Sequence, residues 1–186
     1  MNKIITLLIL IFATAIGANA QITTSHYEKA LLSFDYLAKW TFVEKQENGG
    51  ANIVFTIPNS DLQLSVFFHG ETFDMPEKLA EGKEKLVENT VKSYIKLMNE
   101  QGMKPVRTDG KSTIAGAEAD VVHLRGSLDG IGGEAGIYYA TINSRVVVIS
   151  VFGPDSDLKR FGPALDGLRA SIIVAAATPQ LAPGKP

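Results

Sequence analysis

The stretch that most constrains the fold is the run over residues 146–152, in which every side chain except that of Ser150 is apolar. Successive side chains of a strand point to opposite faces, so apolar residues on both faces predict a strand that is covered on both sides. The strand predicted from this run begins at Arg145, and a second strand predicted over residues 135–142 precedes it, separated from it only by Asn143 and Ser144. A two-residue connection of this kind is typical of a tight β-hairpin. The sequence therefore predicts a central hairpin at the floor of the core.

An amphipathic helix is predicted directly after this hairpin. Its apolar residues recur at spacings of three and four, so they share the side that packs on the sheet. Gly162 and Pro163 interrupt the pattern, and proline removes one backbone hydrogen bond, so we expect a kink there or a helix start near Pro163. The apolar positions are Leu158, Phe161, Leu165, Leu168 and Ile172.

The earlier part of the chain predicts strands followed by one long helix. The helix begins near Pro76 and ends at Gly102. A phase change in the alternation at Val121 and Val122 suggests a β-bulge in the last strand before the hairpin. The predicted strands cover residues 32–36, 41–46, 53–57, 62–69, 104–108, 111–114 and 117–128.

The N-terminus has the pattern of a signal peptide. Lys3 precedes a mostly apolar run over residues 4–16, and the small residues Ala18 and Ala20 predict cleavage after Ala20. The alternative is an uncleaved membrane anchor, but the run is shorter than the about 20 apolar residues that span a bilayer. We therefore expect a periplasmic or secreted protein without stable membrane insertion after cleavage.

The predicted domain organisation is simple. After the leader (residues 1–20), we expect a flexible lead-in over residues 21–30 with at most one helical turn, a single domain over residues 31–173, and a disordered, proline-containing tail over residues 174–186. The chain has no cysteine, which excludes disulfides and cysteine lipidation. Its formal net charge of −2 gives no basic field for nucleic acid.

No catalytic motif is evident. Gly110-Lys111-Ser112 ends like a phosphate-binding loop, and residues 130–135 match a dinucleotide pattern, but both lie in a hairpin context without a helix N-terminus to receive a phosphate. No serine lies in a nucleophile elbow, and no pair of carboxylates is placed for acid–base work. We expect a protein that is not an enzyme and needs no cofactor.

The candidate binding residues follow the strand over residues 62–69. His69, Glu71 and Asp74 are the best local cluster of metal donors, but the solvated polarity of a loop is the favoured interpretation of these residues. Phe73 adds an aromatic ring to this loop. Phe67 is the other aromatic of interest, because the alternation of its strand places it on the polar side. We expect a binding surface at His69, Glu71, Phe73 and Asp74, with no metal site assigned.

Short sequence segments at both ends of the predicted domain resemble those of one superfamily. The segments are Ser33-Phe34-Asp35-Tyr36, Lys39-Trp40-Thr41-Phe42, Tyr138-Tyr139-Ala140-Thr141 and residues 161–172. They are similar to the photosystem II extrinsic P subunit (PsbP), the bacterial DcrB-type periplasmic proteins and a eukaryotic Ran-binding import factor. The resemblance implies an α+β fold, an α/β/α sandwich in which a central antiparallel sheet carries the long helix on one face and the C-terminal helix on the other.

The same resemblance implies binding or assembly roles without catalysis, and it carries over no site residue. Together with the leader, it predicts an exported non-enzymatic protein of the bacterial cell envelope whose partner is another envelope protein. The alternative is a small-ligand or metal-binding module that uses a pocket between the sheet and the long helix, with His69 as the first candidate donor. An enzyme whose residues meet only in space is the third possibility.

Overall fold

The structure is a computed structural model that describes residues 23–29, 31–47, 50–69 and 76–176. Within these ranges the chain forms ten strands and two helices. The helices are α1 (Pro76–Glu100) and α2 (Asp155–Ser171). The strands are β1 (Thr24–Lys29), β2 (Leu32–Leu37), β3 (Thr41–Glu47), β4 (Gly50–Thr56), β5 (Gln63–His69), β6 (Val106–Ile114), β7 (Ala117–Leu128), β8 (Ile131–Ile142), β9 (Arg145–Pro154) and β10 (Ile173–Val174).

Seven of the strands form one antiparallel sheet in the order β3-β4-β5-β9-β8-β7-β6. It consists of two meanders, β3 to β5 and β6 to β9, which meet where β5 pairs with β9. Helix α1 carries the chain from β5, in the middle of the sheet, to the far edge at β6. The two edge strands are therefore β3 and β6.

Strand β9 is buried on both faces, as the sequence predicts. Val147, Ile149 and Val151 belong to the core on the α2 side. Val146, Val148 and Phe152 belong to the core on the α1 side. The hairpin turn before it has positive φ at both Asn143 (50°) and Ser144 (60°), which is the conformation of a type I′ turn.

The two helices cover opposite faces of the seven-stranded sheet, which confirms the predicted α+β class and the α/β/α sandwich. Helix α1 buries Val87, Val91 and Met98 against the sheet. Helix α2 buries Leu168, and Leu158 and Leu165 pack beside it against the opposite core.

Helix α2 begins at Asp155 and continues through Pro163 to Ser171, so the predicted helix start near Pro163 is wrong. Gly162 helps to explain this, since the steric conflict between a proline ring and the preceding residue involves that residue's Cβ, which glycine lacks. The first turn is also held in place. Asp157 accepts hydrogen bonds from the Ser60 hydroxyl (2.8 Å) and the Asp61 amide (2.9 Å), and these bonds lower the pKa of its carboxyl group.

A second sheet, in the order β1-β2-β10, lies on the α2 side of the core and was not predicted. Strand β1 occupies part of the segment expected to be a flexible lead-in with at most a helical turn. Its Tyr27 ring stacks on Phe34 of β2 with centroids 4.8 Å apart. Burial, followed by the charge of Glu44 on β3, raises the pKa of Tyr27 to about 12.

Strand β10 includes Val174, where the tail was expected to begin. Val174 is buried, its carbonyl accepts a hydrogen bond from the Asn143 side chain (2.6 Å), and the Ala175 amide donates to the carbonyl of Leu31 (2.8 Å). The segment predicted to be a signal peptide (residues 1–20) and residues 177–186 of the predicted tail lie outside the described residues, as do residues 21, 22 and 30 of the predicted lead-in.

Two smaller predictions are also wrong. Strand β6 is continuous where two short strands were expected. No bulge interrupts β7 at Val121 and Val122, because β7 pairs in unbroken register with both β6 and β8. Both valines are buried because the sheet is covered on both faces at this point.

The two-sided burial of β9 gives a direct stability test. Ile149 is 2% exposed, so Ile149→Ala should lower the free energy of unfolding by about 2–5 kcal/mol through lost burial and a residual cavity. Val54 on β4 is 37% exposed, and Val54→Ala should stay within about 0.5 kcal/mol of the parent. Urea unfolding of both variants measures the difference, and equal losses would contradict the assignment of buried and exposed faces.

The helical glycines give a second test. A Cβ at Gly167 of α2 would enter open space, so Gly167→Ala should stabilise the protein by about 0.5–1 kcal/mol. Gly116, in the turn between β6 and β7, also has open space around it, but its φ is +74°. Gly116→Ala should therefore destabilise the protein, and thermal unfolding distinguishes the two results.

Candidate functional site

His69 is the last residue of β5 and the one predicted site residue that the structure describes. Glu71, Phe73 and Asp74 lie outside the described residues. His69 pairs with Gly50, the first residue of β4, and its ring lies 6.5 Å from that of Phe67. It lines a cavity between the sheet and α1. The structure therefore brings His69 to the pocket that the sequence analysis considered for a ligand.

Metal donors do not gather in the described part of the chain, where no group of three or more His, Asp or Glu residues could hold an ion. Two histidines contact carboxylates instead. His26 lies 2.7 Å from Asp35, and His123 lies 2.6 Å from Glu134. These pairs link neighbouring strands, so their geometry is that of structural contacts on the sheet.

The cavity, called the α1 cavity below, has a volume of about 480 Å³. It forms because α1 packs on β7, β8 and β9, while β3 and β4 have no covering helix on the same face among the described residues. Its walls come from α1 and from the facing sides of β4, β5 and β9. The lining residues are Asn52, Ser65, Phe67, His69, Gly82, Leu86, Thr90, Ser93, Tyr94, Val146, Val148 and Ser150.

A chain of three hydroxyl groups crosses the floor of this cavity. Tyr94 of α1 donates a hydrogen bond to the Ser150 hydroxyl (3.0 Å), and Ser150 lies 2.8 Å from the Ser65 hydroxyl on the neighbouring strand. Ser65 and Ser150 are register partners across β5 and β9. Burial raises the pKa of Tyr94 above its ordinary value, so the phenol is neutral at physiological pH.

The hydroxyl groups of α1 add hydrogen-bond acceptors. Thr90 donates its hydroxyl hydrogen to the carbonyl of Leu86 (2.9 Å), and Ser93 donates to that of Asn89 (2.9 Å), which leaves the lone pairs of both hydroxyl oxygens. The side-chain oxygen of Asn52 is buried and has no hydrogen-bond partner among the described residues. The cavity therefore offers neutral hydrogen-bonding groups on apolar walls.

The open part of the sheet beside the cavity carries exposed apolar residues. Val43 of β3 and Val54 of β4 are register partners, and they are 60% and 37% exposed. Phe67, expected on a polar side of β5, instead packs against the α1-side core. The predicted alternation of β5 places Phe67 on the correct face of the strand. That face was expected to be exposed to solvent, but α1 packs against it. We call Val43, Val54 and the backbone edge of β3 the β3 surface.

A second cleft, of about 330 Å³, lies on the opposite face between the sheet and α2. Leu64, Ile149 and Val151 form its floor, and charged groups form its rim. The Arg169 guanidinium lies over the Tyr138 ring (4.1 Å to the centroid), and Arg125 binds Asp155 at 2.8 Å. Each of these cations contacts a carboxylate of the rim, since Arg169 also pairs with Asp166.

The hydroxyl groups of the α1 cavity were missed by the sequence analysis. Two signals for them exist in the sequence. Ser150 is the single polar residue of the run over residues 146–152, and Gly82, Thr90 and Ser93 recur at helical spacings beside the apolar stripe of α1. Both patterns put polar or small residues at positions where a fully packed core would need large apolar residues.

Comparison with solved structures identifies the fold. The solution structure of cyanobacterial PsbP (CyanoP) from Synechocystis sp. PCC 6803 matches with a TM-score of 0.55 and 14% identity, covering 85% of this chain and 96% of that one. The predicted resemblance to the PsbP-like proteins is thus confirmed as a shared fold. No family model matches the chain, and no curated protein matches its sequence.

Two further structures align with lower scores. They are PA94, a Pseudomonas aeruginosa protein of unknown function (TM-score 0.38, 12% identity, 83% of this chain and 99% of that one), and LpqN, involved in cell envelope biogenesis of Mycobacterium tuberculosis (TM-score 0.40, 13% identity, 82% and 90%). Among the described residues, neither helix has the length and apolar character needed to cross a membrane.

The hydroxyl chain gives a pH-dependent test. Tyr94→Phe removes the bond to Ser150 and should lower the free energy of unfolding by about 1 kcal/mol at neutral pH. Because the folded-state pKa of Tyr94 is raised above 10.0, its stabilising contribution is complete below pH 10.0 and is lost as the pH rises through the raised value. Urea unfolding above pH 10.0 should therefore show a steeper loss in the parent than in Tyr94→Phe. Equal slopes would contradict a buried Tyr94.

Proposed function

We propose that this protein is an exported, non-enzymatic binding protein of the bacterial cell envelope, and that it binds another envelope protein through the β3 surface. The observation that carries the proposal is the exposure of Val43 (60%) beside Val54 (37%) on an edge of the seven-stranded sheet. The leader pattern over residues 1–20 supports export.

An edge strand has unpaired backbone groups on its outer side, so a partner can add an extended segment to it. Only the α1-side face of β3 is open for side-chain contacts. The other face is covered by β1, where Lys29 (2.8 Å) and Tyr27 (3.3 Å) bind the Glu44 carboxylate. A partner strand would therefore pair with the β3 backbone and place an apolar side chain against Val43.

The charge of Lys45 indicates which side chains the partner strand should carry. Lys45 follows Val43 on the open face and is exposed. An acidic residue two positions from the apolar one would then lie near its ammonium group, because side chains two apart share a face of a strand. The predicted binding residues Glu71, Phe73 and Asp74 follow His69 in sequence and lie outside the described residues, so their part in binding stays a prediction.

The opposite edge is less suited to strand addition. On β6, Arg107, Asp109 and Lys111 form ion pairs, and charged residues along an edge discourage pairing with another chain. A second exposed apolar pair, Leu128 and Ile131, lies at the tip of the β7–β8 hairpin. Its backbone groups already pair across the hairpin, so it offers side chains but no free edge.

Site-specific cross-linking in living cells tests the proposal. A photo-reactive amino acid at Lys45, with an affinity tag after Pro186, should capture one envelope protein reproducibly. Val43→Glu should abolish that adduct, because the carboxylate would be desolvated against an apolar partner residue. A photo-reactive residue at Lys159, exposed on α2, serves as the matched control and should not give this adduct.

Two results would contradict the proposal. An adduct that persists in the Val43→Glu variant would show that the β3 surface does not carry the interaction. An adduct formed only by a photo-reactive residue at Ile131 would assign the contact to the hairpin tip instead. Circular dichroism and thermal unfolding of purified Val43→Glu check that its fold is retained.

A further inference from the structure

We propose that the α1 cavity is a binding site for a small, uncharged ligand that donates hydrogen bonds, of the carboxamide class. This site lies beyond the β3 surface and does not depend on the protein contact proposed above. The inference comes from the hydrogen-bonding capacity, the charge and the size of the cavity.

The capacity left in the lining is mainly that of acceptors. Tyr94 already donates to Ser150, and Thr90 and Ser93 already donate to carbonyl groups of their own helix. Their oxygens keep free lone pairs, since a hydroxyl group donates one hydrogen bond and accepts two. These oxygens favour a ligand that brings hydrogens, as the NH₂ group of a primary amide does. The Asn52 NH₂ group and one hydroxyl of the Ser65–Ser150 pair can in turn donate to the carbonyl oxygen of such an amide.

Asn52 adds a reason for such a ligand. Its side-chain oxygen is buried without a hydrogen-bond partner among the described residues, a state that costs about 1–3 kcal/mol for a neutral polar group. A bound amide that reached this oxygen would recover part of that loss.

The lining also selects for a neutral ligand. Apart from His69, its side chains are hydroxyl, amide or apolar, and it contains neither a carboxylate nor an ammonium group. An ion entering the cavity would lose hydration without meeting an opposite charge, which is strongly unfavourable. A carboxamide loses less on desolvation, and each of its N–H groups can meet one of the acceptors.

Size and shape agree with this class. A cavity of about 480 Å³ lies within the range of about 300–1,000 Å³ typical of small-molecule sites. Phe67, Leu86 and Val148 supply apolar walls beside the polar groups. A flat amide with a short apolar stem, such as a glutamine side chain, matches both parts of the lining.

Three probes of nearly equal size test the proposal on the mature protein. They are the N-acetyl, N-methylamide derivatives of glutamine, glutamate and methionine, titrated into ¹⁵N-labelled protein and followed by NMR. The glutamine probe should shift the amide signals of Ser65, Phe67, Thr90 and Ser93, with a Kd at least tenfold lower than those of the other two probes. Glutamate tests the selection against charge, and methionine tests the need for hydrogens donated by the side chain, because the two backbone amide groups are the same in all three probes.

Matched variants assign the site. Thr90→Val keeps the shape of the side chain and removes the hydroxyl acceptor. Ser93→Ala removes the hydroxyl acceptor at an exposed position. Each should raise the Kd of the glutamine probe at least threefold. Asn99→Ala, exposed on the same helix, should leave it unchanged. Thermal unfolding confirms that each variant is folded before its titration is interpreted.

The proposal is overturned if the methionine or glutamate probe binds as tightly as the glutamine probe. It is also overturned if no probe shifts the cavity signals, or if Thr90→Val and Ser93→Ala both leave the Kd unchanged. None of these results bears on the cross-linking of Lys45, so the failure of one proposal is distinguishable from the failure of the other.

Discussion

The pairing of β5 with β9 holds this fold together, because it is the one seam between the two meanders of the seven-stranded sheet. Strand β9 is apolar on both faces, so the seam lies between two cores. The polar pair Ser65 and Ser150 sits within this pairing and faces α1. The most buried part of the sheet thereby places hydroxyl groups under the long helix.

A mismatch in width explains why the α1 face has both a cavity and an exposed surface. Seven strands spaced about 4.8 Å apart span about 29 Å, whereas one helix with its side chains is about 10–12 Å wide. A single helix therefore covers fewer than half of the strands, and α1 lies over the β7–β9 side. On the opposite face, α2 and the β1-β2-β10 sheet together cover the seven-stranded sheet. The aromatic residues Tyr27, Phe34 and Trp40 fill the space between these elements and the seven-stranded sheet. The uncovered region beside α1 is thus a consequence of the architecture, and it is where both proposed binding roles lie.

The two proposed roles use different physical properties of this region. The β3 surface combines a free backbone edge with exposed apolar side chains, which suits an extended polypeptide. The α1 cavity is partly enclosed, neutral and rich in acceptors, which suits a small donor. Lys83 shows how α1 is fixed over the far side of the sheet, since it contacts Asp120 (3.9 Å) and the Tyr139 ring (5.7 Å to the centroid). These contacts lie on the side of the sheet away from β3.

The sequence by itself determined the elements whose signals are local. The two-sided apolar run of β9, the type I′ turn at Asn143 and Ser144, and the extent of α1 follow from periodicity and turn chemistry within a few residues. Tertiary structure decided the rest. Strand β10 exists because it pairs with β2, which lies far away in the chain. Strand β1 pairs with β2, its neighbour in sequence, and the packing of Tyr27 on Phe34 holds it in the second sheet. Helix α2 begins at Asp155 and not near Pro163, and Phe67 is covered because α1 packs on its face of the sheet. The lateral position of α1, which no local pattern encodes, determines which polar residues meet in the cavity.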